Sequence, residues 1–443
     1  MRKRCTYIWV TALTAIIGLT VGAAALGSPA ISTFQFVPGD VSAQTANVTP
    51  QDIYSDQLGF GFEPGSIPRL MADRKAITAS KPFCFSVKLP EGNYDVTVTL
   101  GDQSEGSQNT VKAEDRRLML KNVVTDPGQV VQRTFTVNIR RPTIYGGTKV
   151  HLKQRELGPP LERDWDDRLT IEFNGSKPAV QSVRIVRAVH ATTVYLLGDS
   201  TVTDQPDEPW CSWGQMLPRF FGKGIAIANN ANSGETLRSF MASNRLAKVL
   251  STMKPGDYAF IQFGHNDQKE RGPGIGPFTS YKHDLEYFIS QIRNRGGIPV
   301  LVTSMNRRRF NRDGKIVNTL GDYPAAVRQT AAQQQVPLID LHAMSRVLFN
   351  VLGPEGTLHA FVHYPANTFP DQPKPLNDNS HFNGYGAYEL AKCVVQGIIS
   401  AQLPISKYLK EKPFHFDPAH PDPIGSYHIP ASLASSETKP AGS

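Results

Sequence analysis

The sequence predicts two units in tandem: an all-β sandwich over residues 51–188, then an α/β domain over 192–405 of the flavodoxin-like three-layer sandwich type, built on a parallel sheet. Three observations carry that expectation. Short apolar/polar alternations separated by turn residues fill the first stretch. Continuous apolar runs separated by helical patterns fill the second. Polar clusters fall where the second set of runs ends. Alternation with period two suits strands with one face exposed, whereas uninterrupted apolar strands spaced by helices suit a sheet covered on both faces.

In chain order, Arg2-Lys3-Arg4 leads into the apolar run Tyr7–Leu26 and then small residues, the pattern of an export signal over 1–28 with cleavage between Ala25 and Ala30. The protein is therefore expected to be secreted or periplasmic. The run is also long enough for an uncleaved membrane anchor, the one route to a membrane that the sequence offers. Residues 29–50 read as a linker. The sandwich strands are expected at Phe83–Leu89, Tyr94–Leu100, Thr134–Ile139 and Leu169–Phe173, with turns at Pro90–Asn93 and Asn174-Gly175. This pattern resembles the galactose-binding-like sandwiches joined to carbohydrate-active enzymes, which implies either a glycan-binding module or a structural spacer. Trp165 with Asp166-Asp167 is either a binding rim or an ordinary loop.

In the second unit, strands are expected at Thr193–Leu197, Gly224–Ala228, Tyr258–Phe263, Ile298–Thr303 and Val336–Leu341. Helices are expected at Leu237–Met253, Ser280–Arg295, Asp322–Gln335 and from Gly384 to Leu403. Residues 406–443, rich in Pro, His and Ser, read as an extended tail held partly by Phe414 and Phe416.

Ligands and catalytic groups of open α/β sheets gather at the carboxyl ends of the strands. Four clusters fall there: Gly198-Asp199-Ser200-Thr201, Asn232-Ser233-Gly234, Gly264-His265-Asn266-Asp267 and Asp378-Asn379-Ser380-His381. Together they hold a hydroxyl nucleophile, a base with an acid three residues away to orient it, and amide donors for an oxyanion, which are the parts that hydrolysis of an ester through a serine needs. Taken singly, each also has a plain reading: Asp378-Asn379 as a helix N-cap, Asn232–Gly234 as a turn, and Asp199 as a local backbone acceptor.

These blocks resemble the SGNH, or GDSL-type, hydrolases. Within them, Gly198–Val202, Phe263–Asp267, Arg308–Phe310 with Gly321–Tyr323, and His381–Ala387 look most like the rhamnogalacturonan acetylesterases. The resemblance runs from Thr193 to Leu403. It implies Ser200 as nucleophile, His381 as base and then acid, and Asp378 as its partner, with the N–H groups of Ser200 and Gly234 and the amide of Asn266 as the oxyanion hole. His265, Arg308 and Arg309 stand as substrate-contact candidates, since guanidinium groups suit the carboxylates of a pectic chain.

The chemistry so implied needs no cofactor and no metal. His359 and His363 lack the accompanying Cys or carboxylate spacing of a metal site. The formal charge is +8, three units of which come from Arg2, Lys3 and Arg4. No basic helix with interleaved aromatics points to nucleic acid. Beyond Cys5 the chain has three cysteines, Cys84, Cys211 and Cys393, too few for a disulfide-stapled scaffold. The implied partner is an acetylated polysaccharide. Acetylated xylan, a lipid ester, or an inactive glycan-binding role at the cell surface stand as alternatives.

Overall fold

The computed structural model describes residues 32–37, 44–65, 67–70, 76–158, 161–370 and 372–441. The export-signal reading of residues 1–28 lies outside them. Among the described residues, no helix is long and apolar enough to cross a membrane.

The first unit is two packed sheets, antiparallel except for the parallel pair Thr33–Gln35 and Thr45–Asn47. One runs through Val131–Ile139, Gly92–Leu100, Val180–Arg187, Thr33–Gln35 and Thr45–Asn47, and the other through Phe60–Phe62, Phe83–Lys88, Arg168–Lys177, Ser107–Ala113 and Arg117–Thr125. Alternate residues of each strand point inward, so Val96 and Val98 meet Phe85, Ile171 and Phe173 in one apolar core. Two expectations are corrected here. The linker expected at 29–50 contains strands: Thr33–Gln35 pairs antiparallel with Ser182–Arg184, because Phe34 and Phe36 can bury only by joining the sheet. Asn174-Gly175 is not a turn between strands but a register shift inside Arg168–Lys177. A Cβ on Gly175, at φ +136°, would lie 2.1 Å from the Gln108 carbonyl, so the irregularity requires glycine.

In the second unit, five parallel strands stand in the order Ile225–Asn229, Thr192–Gly198, Tyr258–Gln262, Ile298–Val302, Leu338–Ile339. This 2-1-3-4-5 order is flavodoxin-like, and its switch point lies beside Thr192–Gly198. Along that strand Val194 and Leu196 pack one way, against Trp213 and the helix Gly384–Ser400. Tyr195 and Leu197 pack the other way, against Leu237, Phe240 and Phe288. Both faces are thus covered by helices, which accounts for the uninterrupted apolar runs in the sequence.

The helix expected over Leu237–Met253 is two, Leu237–Ala242 and Arg245–Thr252, broken at Asn244 with φ +62°. A helical segment at Leu341–Gly356, N-capped by Asp340 and broken at Gly353 (φ +66°) before Pro354, was not anticipated. The tail holds Phe414 edge-on to Phe220 at 5.8 Å and buries Phe416, as expected.

Buried ion pairs join the units. Arg117 of the sandwich bonds Asp204 of the α/β unit at 2.7 Å and Asp164 at 2.8 Å, while Arg140 holds the other Asp164 oxygen at 2.8 Å. The next residue, Leu118, lies within the apolar core of the α/β unit.

Candidate active site

The strand Thr192–Gly198 ends where the chain must turn sharply. Asp199 organises that turn: its Oδ1 accepts from the Thr201 N–H at 2.9 Å and the Thr201 hydroxyl at 2.8 Å. Burial works to raise the Asp199 carboxyl, but the His265 bond and charge and the Thr201 donors outweigh it and hold it below the ordinary carboxylate range. Ser200 is carried on this turn, and its carbonyl accepts from the Gln205 side chain at 2.7 Å.

Across from it, the strand Leu376–Phe382 delivers Asp378 and His381. The expected turn or first helical turn is replaced by this strand, paired with Phe361–Tyr364. The three-residue spacing still brings the two side chains together, because Asp378 Oδ1 folds back onto the N–H groups of Ser380 at 2.7 Å and His381 at 3.0 Å. Asp378 Oδ2 meets His381 Nδ1 at 2.8 Å, and His381 Nε2 meets Ser200 Oγ at 2.8 Å. The following helix is N-capped by Asn383, whose side chain accepts from the Gly386 N–H, so the plain N-cap reading of Asp378-Asn379 does not hold. Burial pushes the Asp378 carboxyl up, but the His381 bond and charge together with the two backbone donors bring it down to about 2. The pair therefore holds an ionised carboxylate against one ring nitrogen and leaves the other facing a hydroxyl, an arrangement that can draw a proton from Ser200.

The two amide clusters lie beside this chain. The Asn232 N–H donates to the Gly198 carbonyl at 3.1 Å, seating the loop Asn232–Glu235 against the Ser200 turn. Gly234 has φ +83°, the left-handed region that favours glycine. The Asn266 amide donates to the Glu235 carbonyl at 3.1 Å, tying the third cluster to the second. Asp267 accepts from the Gly264 N–H at 2.8 Å and the Leu237 N–H at 2.9 Å, and burial raises its carboxyl to about 7.

The substrate-contact candidates are placed differently from expectation. His265 is buried, with Nε2 3.1 Å from the Met305 carbonyl and Nδ1 3.5 Å from Asp199, so both ring nitrogens face groups of the protein. Arg308 is tied to the Pro354 carbonyl at 2.8 Å, Thr357 Oγ1 at 3.1 Å and Asn379 Oδ1 at 3.3 Å, which braces the strand carrying Asp378. Arg309 is exposed. Arg307, which opens the basic stretch Arg307–Arg312 that the sequence offers for galacturonate contact, reaches Ser380 Oγ at 3.1 Å and the His265 carbonyl at 3.2 Å.

Other neighbours were invisible from local sequence. Trp210 stands edge-on to His381 with ring centroids 5.9 Å apart, and its Nε1 donates to the Ser436 carbonyl at 3.0 Å. The tail continues along the site, placing Lys439 Nζ 3.5 Å from Asp378 Oδ2. A cavity of about 340 Å³ lies here, bordered by Arg155, Gln205, Trp210, Ser233 and Lys439. Trp165 lines the wall of this cavity, buried between Arg140 and Arg245, and its Nε1 donates to Glu156 at 3.2 Å. Cys84, Cys211 and Cys393 are all free thiols.

Residues 196–386 match the GDSL-like lipase/acylhydrolase family. Rhamnogalacturonan acetylesterase RhgT of Bacillus subtilis is 41% identical over 218 residues, which are 49% of this chain and 93% of that protein. An uncharacterised esterase of the same organism, YxiM, is 26% identical over 83% of this chain and 90% of its own length. The crystal structure of YxiM covers 84% of this chain and 99% of its own, at 25% identity and a TM-score of 0.44.

Proposed function

Because this chain belongs to the GDSL-like lipase/acylhydrolase family and is a serine esterase homologous to rhamnogalacturonan acetylesterases, we propose that it removes O-acetyl groups from rhamnogalacturonan through Ser200, His381 and Asp378. The observation that carries the mechanism is the unbroken chain of two 2.8 Å contacts from Asp378 through His381 to Ser200 Oγ.

In this reading His381 Nε2 takes the Ser200 proton as Oγ attacks the acetyl carbonyl. Asp378 holds the tautomer and stabilises the imidazolium. The N–H groups of Ser200 and Gly234 and the Asn266 side-chain amide donate to the oxyanion. The sugar oxygen leaves with the proton from His381, and water, activated by the same nitrogen, then releases acetate from Ser200. Exposed Arg309 is free to meet a galacturonate carboxylate, with Arg308 holding the loop in place. The enzyme acts after export, on the strength of the Arg2–Leu26 pattern.

The substrate reading is supported by the proteins named rhamnogalacturonan acetylesterase among the relatives. It is tested by acetate release from acetylated rhamnogalacturonan and acetylated xylan, each with a Ser200→Ala control. Preferential release from the pectic polymer that the control abolishes is the expected result. Release from xylan alone keeps the mechanism and overturns the substrate; no release from either overturns the substrate reading for both glycans.

A further inference from the structure

The oxyanion loop is gripped by side chains that do not belong to the α/β unit. Between the sandwich strands Val131–Ile139 and Arg168–Lys177 the chain makes a long excursion that docks on the α/β unit, where Lys248 Nζ donates to the Thr143 carbonyl at 2.8 Å and the His151 N–H to the Ser243 carbonyl at 3.0 Å. Its short helical turn, Gln154–Glu156, sits against Asn232–Glu235. Lys153 Nζ donates to the Ser233 carbonyl at 2.8 Å, and Arg155 donates to the same carbonyl at 2.9 Å and to Asn232 Oδ1 at 2.7 Å. Glu156 accepts from the Asn232 amide at 3.0 Å. It is itself fixed by both 2.7 Å contacts of Arg245, which is buried in the α/β unit.

The Ser233 carbonyl and the Gly234 N–H are the two ends of one peptide group. That group is planar, so two cations holding the oxygen also fix the direction of the N–H. They also pull electron density toward the oxygen, which makes the N–H a stronger donor, because linked hydrogen bonds polarise one another. The left-handed conformation at Gly234 gives this peptide its orientation, and the two cations hold it there.

We propose that Lys153, Arg155 and Glu156 are positioning residues for the Gly234 oxyanion donor, so that the sandwich unit completes the esterase site. This inference rests on the assignment of Gly234 as an oxyanion donor made above. It predicts an effect on turnover of even the smallest ester, since the grip acts on the reacting carbonyl and not on the glycan.

The test uses the full chain with p-nitrophenyl acetate. Lys153→Ala and Arg155→Ala, singly and together, are compared with Lys153→Arg, Arg155→Lys and Ser200→Ala. Lys153 Nζ also pairs at 2.6 Å with buried Glu235, so Lys153→Arg, which keeps that charge, and a melting curve for each variant separate loss of the grip from damage to the fold. Removing an oxyanion donor outright costs about 100-fold to 1000-fold in kcat, and loosening one costs less. The double variant is therefore expected to lose about 10-fold to 100-fold in kcat with KM within about twofold, the loss being partly restored by the charge-keeping variants. Unchanged kcat in folded Lys153→Ala and in the double variant, with Ser200→Ala inactive, would overturn the grip while leaving the serine mechanism intact. A lower melting temperature with full kcat in the folded protein would equally overturn it, leaving a purely structural contact. Activity retained in Ser200→Ala would instead remove the mechanism on which the proposal stands.

Discussion

The two sides of the active site are built in opposite ways. On one side, Asp378, Ser380 and His381 lie within four residues, and the carboxylate is oriented by its own neighbours' N–H groups before it meets the imidazole. On the other, the Asn232–Glu235 loop is held by Lys153, Arg155 and Glu156, 76 to 80 residues away in sequence and carried by a different unit. A short motif can organise its own charges through local backbone bonds. The Ser233–Gly234 peptide, next to a glycine in the left-handed region, is held instead by partners that come across a domain interface.

The sharpest break of this contrast is at Ser200. Ser200→Ala is expected to lower kcat on p-nitrophenyl acetate by about a million-fold, the scale seen when a triad serine is removed. Asp378→Asn follows, with about a 10⁴-fold loss, because the amide holds His381 in the wrong tautomer. Near-normal turnover would remove Asp378 from the mechanism.

The same substitution reads the charge. Asp378 is held at about 2 against an ordinary value of 3.8, so its contribution to folding is fully present above the ordinary value and disappears as pH falls through about 2. That contribution is on the order of 2 kcal/mol at neutral pH. The parent is expected to lose stability relative to Asp378→Asn between about pH 4 and pH 2, measured by urea denaturation across that range. Parallel pH profiles would show that the carboxylate is not stabilised in the fold.

The interface itself is probed by Arg117→Ala. This leaves Asp204 without its buried cation and Asp164 with only Arg140, and breaking such a pair costs about 3–5 kcal/mol. A urea midpoint that hardly moves would mean that the two units are not held by this network. The gentlest test removes residues 434–443. Ser200 and His381 are each only 2% exposed, and the tail's Lys439 reaches Asp378. A segment lying over the site reduces apparent affinity by the fraction of time it covers it. Truncation is therefore expected to lower KM on the polymer several-fold with kcat on p-nitrophenyl acetate unchanged. An unaltered KM would show that the tail does not compete with substrate.

The chemical blocks were legible in the sequence because each is short and local: Ser200 after an apolar run, Asn266 after another, and Asp378 with His381 three apart just before a helical pattern. The alternation of strands and helices likewise predicted the parallel sheet, since a sheet buried on both faces leaves an uninterrupted apolar signature. Boundaries were less legible. The break at Asn244 needs a left-handed residue that periodicity does not report, and the strands in 33–47 are too short to show a period. Asn174-Gly175 has the composition of a turn, yet the close approach of Gln108, a tertiary contact, makes it a bulge.

The sequence by itself determined which groups could perform the reaction and that they would gather at one edge of a sheet, because residue type and strand-end position are local properties. Only the tertiary structure decided that His265 and Arg308 turn toward the protein, that Trp165 is buried between two arginines, and that Lys153 and Arg155 reach the Ser233 carbonyl. These depend on how the two units meet, and the energy of a buried ion pair or a shared carbonyl exists only once both partners have left water together.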